Sequence, residues 1–313
     1  MTSLFNNPSI EEKEQNLRAC VNDLVENVHL DQIIQTYDNI IGLFRTPQLK
    51  YNGIVAKQAL PNSSSQRLLI KEAETIQKLQ PIFEENEFYK IPELLRYDSS
   101  RHIIILQRLF GSTALDRVMK ELHQANDTAQ KISGWASYLH QHNREEREYS
   151  WNETEIFNRF TSVLAEDRTR FPEDQRLGEI ERRIRTISDN KYKLASATIH
   201  GDLSPIHFYF EDNAVYGIDF NGSREGLILE DVASFISNSR FHLICAFGEQ
   251  HEIVESFVEE FMKEYTQQNE PLPTAALNFT VALFDYLKSR DEPVEVKDKY
   301  LKGVESLISS SEK

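Results

Sequence analysis

Residues 199–220 read IHGDLSPIHFYFEDNAVYGIDF, which sets two aspartates, Asp202 and Asp219, at the edges of two short apolar runs, with His207 five residues after the first. A hairpin that only fills a core has no use for acids placed in this way. The glycine after His200 permits a sharp turn and Pro205 stiffens the residues beyond it, so the stretch predicts a tight, rigid loop carrying Asp202. Asp219 ends the run AVYGID, where a strand finishing in a short loop would present a carboxylate toward the same place. Two neighbouring carboxylates repel unless a cation lies between them, and oxygen-rich sites that keep several waters suit Mg²⁺.

Outward from this stretch, the chain divides into an α+β first part and a mainly helical second part. Apolar spacing at Leu17, Val21, Leu24 and Val28 predicts an amphipathic helix over residues 9–29, capped by Ser9. Residues 40–60 contain a β-rich half, the pair Asn52-Gly53 and the run IVAKQAL, a pattern that predicts a tight hairpin with Lys57 on the returning strand. Ser65 to Gln80 reads as a helix stopped by Pro81. Two further strands are expected near 90–97 and 102–109. Helices are expected near 113–124, 127–142, 152–167 and 173–187, and again after Glu230, with the opening stretch as a small β insertion among them.

The order of His200-Gly201-Asp202 and Ile218-Asp219-Phe220 resembles the catalytic segment of the aminoglycoside phosphotransferase and choline kinase superfamily, relatives of the protein kinases. That resemblance implies a two-lobed kinase-like fold, with a small antiparallel sheet and a helix in the first lobe and a larger helical second lobe. The divisions expected are an N-terminal helical segment over 1–34, a nucleotide-phosphate lobe over 35–110, and a lobe with the catalytic loop and acceptor site over 111–313. It implies transfer of the γ-phosphoryl group of ATP or GTP to a hydroxyl of a small metabolite or amine. By the same likeness Asp202 aligns that hydroxyl and takes its proton, while Asp219 carries the main metal ion, Mg²⁺ or alternatively Mn²⁺.

Val55-Ala56-Lys57 is similar to the family's strand lysine, which holds the α- and β-phosphates. On the following helix Leu68, Glu72, Ile76 and Leu79 share one face, where a lone carboxylate is costly, so Glu72 is the partner implied for Lys57 and Glu74 falls outside. Gln107 and Leu109 in HIIILQRLFG correspond to the hinge that holds the nucleotide base. Gly134 to His140 is similar to the family's helix ending in Leu-His. Asp231-Val232-Ala233 resembles its Asp-Leu-Ala, with Asp231 expected as a helix N-cap and a brace for the loop.

Two departures stand out. His207 occupies the place of a metal-binding asparagine, and imidazole suits Mn²⁺ better than Mg²⁺, so the second metal site is altered, absent or supplied by another residue. The segment Ile40 to Pro47 has one glycine where protein kinases carry several. Both leave open a catalytically impaired relative that binds nucleotide or serves as a scaffold.

Composition narrows the partners. Lys and Arg total 35 against 50 Asp and Glu, and a formal charge of -15 disfavours nucleic acid and anionic membrane. Cys20 and Cys245 are far apart with no metal-ligand spacing, and the chain shows no signal peptide and no long apolar run, which together read as a cytoplasmic protein. The acidic stretch Glu255 to Glu264 is read as a solvated helix face before an amine-binding one.

Overall fold

The structure, a computed structural model, describes residues 10–36, 38–47, 50, 52–60, 63–248, 252–290, 303–304 and 306. Ser9 lies outside these residues. The chain separates into two compact units. The first takes the residues up to Ala114 together with Ile206–Ser223, and the second takes Leu115–Pro205 and the chain from Arg224 onward.

The first unit begins with α1 (Ile10–Asn22), which lays Leu17, Cys20 and Val21 on a sheet core with Ile40, Phe44, Ile54 and Ile103. The helix stops earlier than its spacing predicts. Leu24 lies past its end and is exposed, and the chain instead forms an additional strand, β1 (His29–Gln35). This strand hides from pattern reading because it is an edge strand whose residues are mostly exposed. It continues into β2 (Asn39–Arg45) and β3 (Gly53–Ala59), then α2 (Ser63–Glu84).

The turn before β3 is longer than the predicted hairpin. Arg45 pairs with Gly53 and the connection runs over 46–52, with Asn52 at φ +56° accepting the N–H of Thr46 on its carbonyl. Pro81 lies inside α2 rather than after it, because Phe83, one turn beyond Leu79, is as deeply buried and continues the apolar face. The unit goes on through β4 (Tyr89–Lys90), β5 (Leu94–Asp98), β6 (Ile103–Gln107) and β7 (Ser112–Thr113). The main sheet has the order β1-β2-β3-β6-β5 and is antiparallel throughout.

The second unit holds α3 (Ala114–Lys120), α4 (Ala125–His140), β8 (Glu145–Ser150), α5 (Glu155–Arg170), α6 (Gln175–Ile187) and β9 (Lys191–Ile199). The chain then returns to the first unit for β10 (Phe208–Glu211) and β11 (Ala214–Gly217). These strands are joined by Asp212 and Asn213, both in the left-handed region that a two-residue hairpin turn requires. The hairpin is the centre of a sheet ordered β4-β11-β10-β7, which is why residues 206–223 fold with the first unit while the reading from sequence assigns them to the second lobe. Gly111 makes this junction close. A Cβ there would stand 2.0 Å from the carbonyl oxygen of Phe210.

The second unit resumes with β12 (Arg224–Leu227), α7 (Ile228–Phe247), α8 (Glu252–Gln268) and α9 (Thr274–Ser289). Its sheet has the order β12-β9-β8, and its core gathers Trp151, Phe160, Phe279 and Tyr286. Among the described residues no helix is long and apolar enough to cross a membrane.

Candidate active site

In the first unit Lys57 is buried on β3, and its Nζ donates to Glu72 Oε2 at 2.8 Å and to Asp219 Oδ1 at 2.7 Å. Glu72 is almost fully buried on the inner face of α2, and Glu74 is exposed. Burial alone would lower the Lys57 value, but Glu72 and Asp219 outweigh it and hold the ammonium group charged well above the ordinary lysine range. Burial raises the Glu72 carboxyl against the pull of Lys57. The three groups brace one another, since removing one partner from a buried ion pair strands the other.

Asp219 reaches this position through an unusual backbone. It sits at φ 67° and ψ 61°, a left-handed conformation rare for a residue with a side chain, and leads into the turn Phe220–Gly222. Phe220 is fully buried and α2 packs against this turn, which helps hold Asp219 on Lys57. Asn221, which the reading from sequence overlooked, donates from Nδ2 to Asp219 Oδ1 at 3.3 Å.

These groups form the polar end of a cavity of about 670 Å³ within the same unit, a volume typical of small-ligand sites. Ile41, Leu43, Val55, Leu106, Leu109 and Ile218 supply its apolar walls, and Gln107 lines it as well. The Gln107 N–H is committed to the carbonyl of Glu93 at 2.9 Å, while Leu109 lies past the end of β6.

His207 Nε2 lies 3.9 Å from Asp219 Oδ2, too far for a hydrogen bond. Among the described residues no group of three or more His, Cys, Asp and Glu side chains could hold a metal ion by itself. The donors here, one carboxylate with Asn221 and His207 beside it, fit a divalent ion that brings phosphate and water oxygens with it. Mg²⁺ is commonly bound in that way, and the imidazole is better matched to Mn²⁺.

Asp202 belongs to the second unit, and there the fold grips the loop's backbone. Gly201 turns at φ 83°. Asp231 is fully buried and accepts the N–H of His200 on Oδ2 at 2.6 Å and that of Gly201 on Oδ1 at 2.7 Å. It lies within the first turn of α7, where Leu227 is the capping residue, so Asp231 braces the loop but does not cap the helix. His140, the last residue of α4, places Nε2 3.0 Å from Asp231 and Nδ1 2.8 Å from the Tyr265 hydroxyl. His140 thus bridges the buried Asp231 carboxylate and the Tyr265 hydroxyl, so that each has a hydrogen-bond partner. Burial works against a charged Asp231, yet His140 and the backbone donors hold its carboxyl below the ordinary value.

Asp202 itself is exposed, with Asn238 Nδ2 3.4 Å from its Oδ1. Asn238 donates more strongly to the Leu203 carbonyl at 2.8 Å and so links α7 to the loop. On α8, the exposed Glu255 is paired with Arg240, while Glu260 is largely covered, accepts from Gln130 of α4 at 2.6 Å and is paired with Lys263, so the stretch is solvated only in part.

A sequence description of the phosphotransferase enzyme family matches residues 57–271 of this chain. No curated protein matches it significantly. Among solved structures, a thermostable mutant of aminoglycoside phosphotransferase APH(4)-Ia, in a ternary complex with AMP-PNP and hygromycin B, is similar with a TM-score of 0.61 at 12% identity, over 91% of this chain and 94% of that one. The streptomycin-ATP complex of APH(2")-IIa is similar with a TM-score of 0.61 at 18% identity, over 97% of each chain. The amicoumacin kinase hAmiN, in complex with AMP-PNP and Ca²⁺, is similar with a TM-score of 0.54 at 14% identity, over 95% and 93%. At these identities the likeness is one of fold.

Proposed function

This chain belongs to the phosphotransferase enzyme family, and on that footing we propose that it moves the γ-phosphoryl group of ATP or GTP to a hydroxyl of a small molecule in the cytoplasm. The observation that carries the reading is Lys57, gripped by Glu72 and Asp219 at the polar end of an otherwise apolar cavity. Apolar walls suit the faces of a purine, with Gln107 and Leu109 at the base, and the ammonium group suits its phosphates. The nucleotides held by the structural relatives agree with this choice.

In this reading Lys57 steadies the phosphates and Glu72 keeps Lys57 pointed at them. Asp219, with His207 in second place, would hold Mg²⁺ or Mn²⁺, which when bound neutralises phosphate charge. The acceptor oxygen forms its bond to phosphorus, the bond to the leaving diphosphate breaks, and a carboxylate oxygen of Asp202 receives the hydroxyl proton. Because phosphoryl transfer is loose, Asp202 serves by alignment and late proton capture more than by strong basicity.

The test is Asp202→Asn, assayed for nucleotide affinity and for turnover in parallel. Retained affinity with turnover lower by about 10²–10⁴-fold is expected; a variant with full turnover overturns the assignment.

A second reading, a nucleotide-binding relative without catalysis, is favoured by His207 in the asparagine's place. Thermal unfolding with ATP, with and without Mg²⁺ or Mn²⁺, separates the two, since a ligand of the native state raises its stability. A metal-dependent rise supports the enzyme, and a rise indifferent to metal supports the silent relative.

A further inference from the structure

Lys288, on α9 in the second unit, takes no part in the transfer as proposed so far. Its Nζ donates to Ser237 Oγ at 2.8 Å, and Ser237 in turn donates to Asp285 Oδ1. The Phe241 ring centroid lies 5.9 Å from the same nitrogen. An ammonium group has three N–H donors, and among the described residues Lys288 spends one, on a neutral hydroxyl.

Such a setting is expensive for a charge. Burial pushes Lys288 down to about 8, with Asp285 and Asp202 acting in the opposite direction. Burial also raises the carboxyl of Asp285, with the Ser237 hydroxyl and Lys288 acting in the opposite direction. The other charged groups nearby cancel as a pair, Arg240 of α7 with Glu255 of α8 at 2.9 Å. Ser237, which Lys288 holds, is followed on α7 by Asn238, whose Nδ2 lies 3.4 Å from Asp202 Oδ1, so this half-buried cation with donors to spare stands on the Asp202 side of α7, where an arriving anion compensates it best.

We infer that Lys288 is an oxyanion anchor beside Asp202 and a further residue of the transfer reaction, an inference that rests on the proposed function. The oxyanion is either the phosphoryl group in transit or a carboxylate or phosphate on the acceptor next to its reacting hydroxyl. In both cases the acceptor oxygen gains phosphorus, the nucleoside diphosphate leaves, the proton passes to Asp202, and Lys288 keeps its own protons while it holds oxygen.

The experiment has a binding arm and a kinetic arm, run on wild type, Lys288→Met, Lys288→Gln and Lys288→Arg. Inorganic phosphate is titrated and monitored by ³¹P NMR. Affinity should fall by about tenfold in Lys288→Met and Lys288→Gln and persist in Lys288→Arg, as expected for one charge-assisted contact. Equal affinity in all four proteins overturns the anchor. This arm needs no turnover, so it stands apart from any failure of the proposed activity.

The kinetic arm compares hydroxy acids such as glycerate with their neutral amides. A rise in KM confined to the hydroxy acids in Lys288→Met assigns the anchor to the acceptor, and a fall in kcat shared by every acceptor assigns it to the phosphoryl group. Unchanged kcat and KM overturn it. Since only the protonated amine can anchor an anion, wild-type activity should decline as pH rises past about 8. Lys288→Arg should move that decline upward, and an identical alkaline limb in both proteins counts against the anchor.

Discussion

In the first unit Lys57 is committed on two sides, 2.8 Å from Glu72 and 2.7 Å from Asp219, so the charged side chains themselves are what the fold holds. In the second unit Asp202 is exposed, and the fold holds the backbone beneath it through Asp231, His140 and Tyr265. The difference reflects the tasks proposed for them. Groups meant for phosphates must keep their charge in a buried place, which needs mutual neutralisation. A group meant to meet a hydroxyl must stay accessible, so its position is set by the loop that carries it.

This contrast makes graded demands on stability. Lys57→Met strands the buried carboxylate of Glu72 and should cost about 3 kcal/mol in chemical denaturation; a loss as small as that of a surface substitution would break the comparison. Asp231→Asn leaves loop N–H donors poorly satisfied and should cost about 2 kcal/mol, and turnover should fall with it because Asp202 loses its platform. Gly201→Ala imposes a side chain at φ 83° and should cost about 1 kcal/mol, read as a shift in the denaturation midpoint. Asp202→Asn should change stability by less than about 0.5 kcal/mol even as turnover collapses.

The pH dependence sharpens the same comparison. The carboxyl of Asp231 lies below its ordinary value in the folded protein, so its contribution is complete above about pH 4 and is lost as pH falls through the lowered value. Lys57 lies above its ordinary value, so its contribution is complete below about pH 10 and is lost only as pH rises further. Denaturation midpoints across acidic pH should therefore flatten in Asp231→Asn, and in Lys57→Met part of the loss should be recovered as acid neutralises the stranded Glu72.

Much of this was legible from sequence because the relevant residues carry local signatures. Lys57 lies on a β-rich run, Glu72 interrupts an apolar stripe, and Asp202 and Asp219 end short apolar segments. Contacts made by distant, ordinary-looking residues were not legible. His140 and Asp231 each resembled a family motif separately, and only folding joins them at 3.0 Å. Lys288 reads as one more basic residue near a helix end, since nothing local marks a lysine whose partner is a serine on another helix. β1 was missed because an exposed edge strand has no alternating apolar pattern, and Pro81 misled because tertiary burial of Phe83 outweighs the helix-breaking preference.

The hairpin β10–β11 completes the sheet that begins with β4 and β7, and it arrives in the chain after the first half of the second unit. A ribosome therefore cannot release a finished first unit in chain order. Until residue 223 has emerged, β4 and β7 lack their central strands and Lys57 lacks Asp219. A truncated protein ending near Ala114 would inherit the same defect, so a nucleotide-binding fragment of this chain cannot be made by simple cutting.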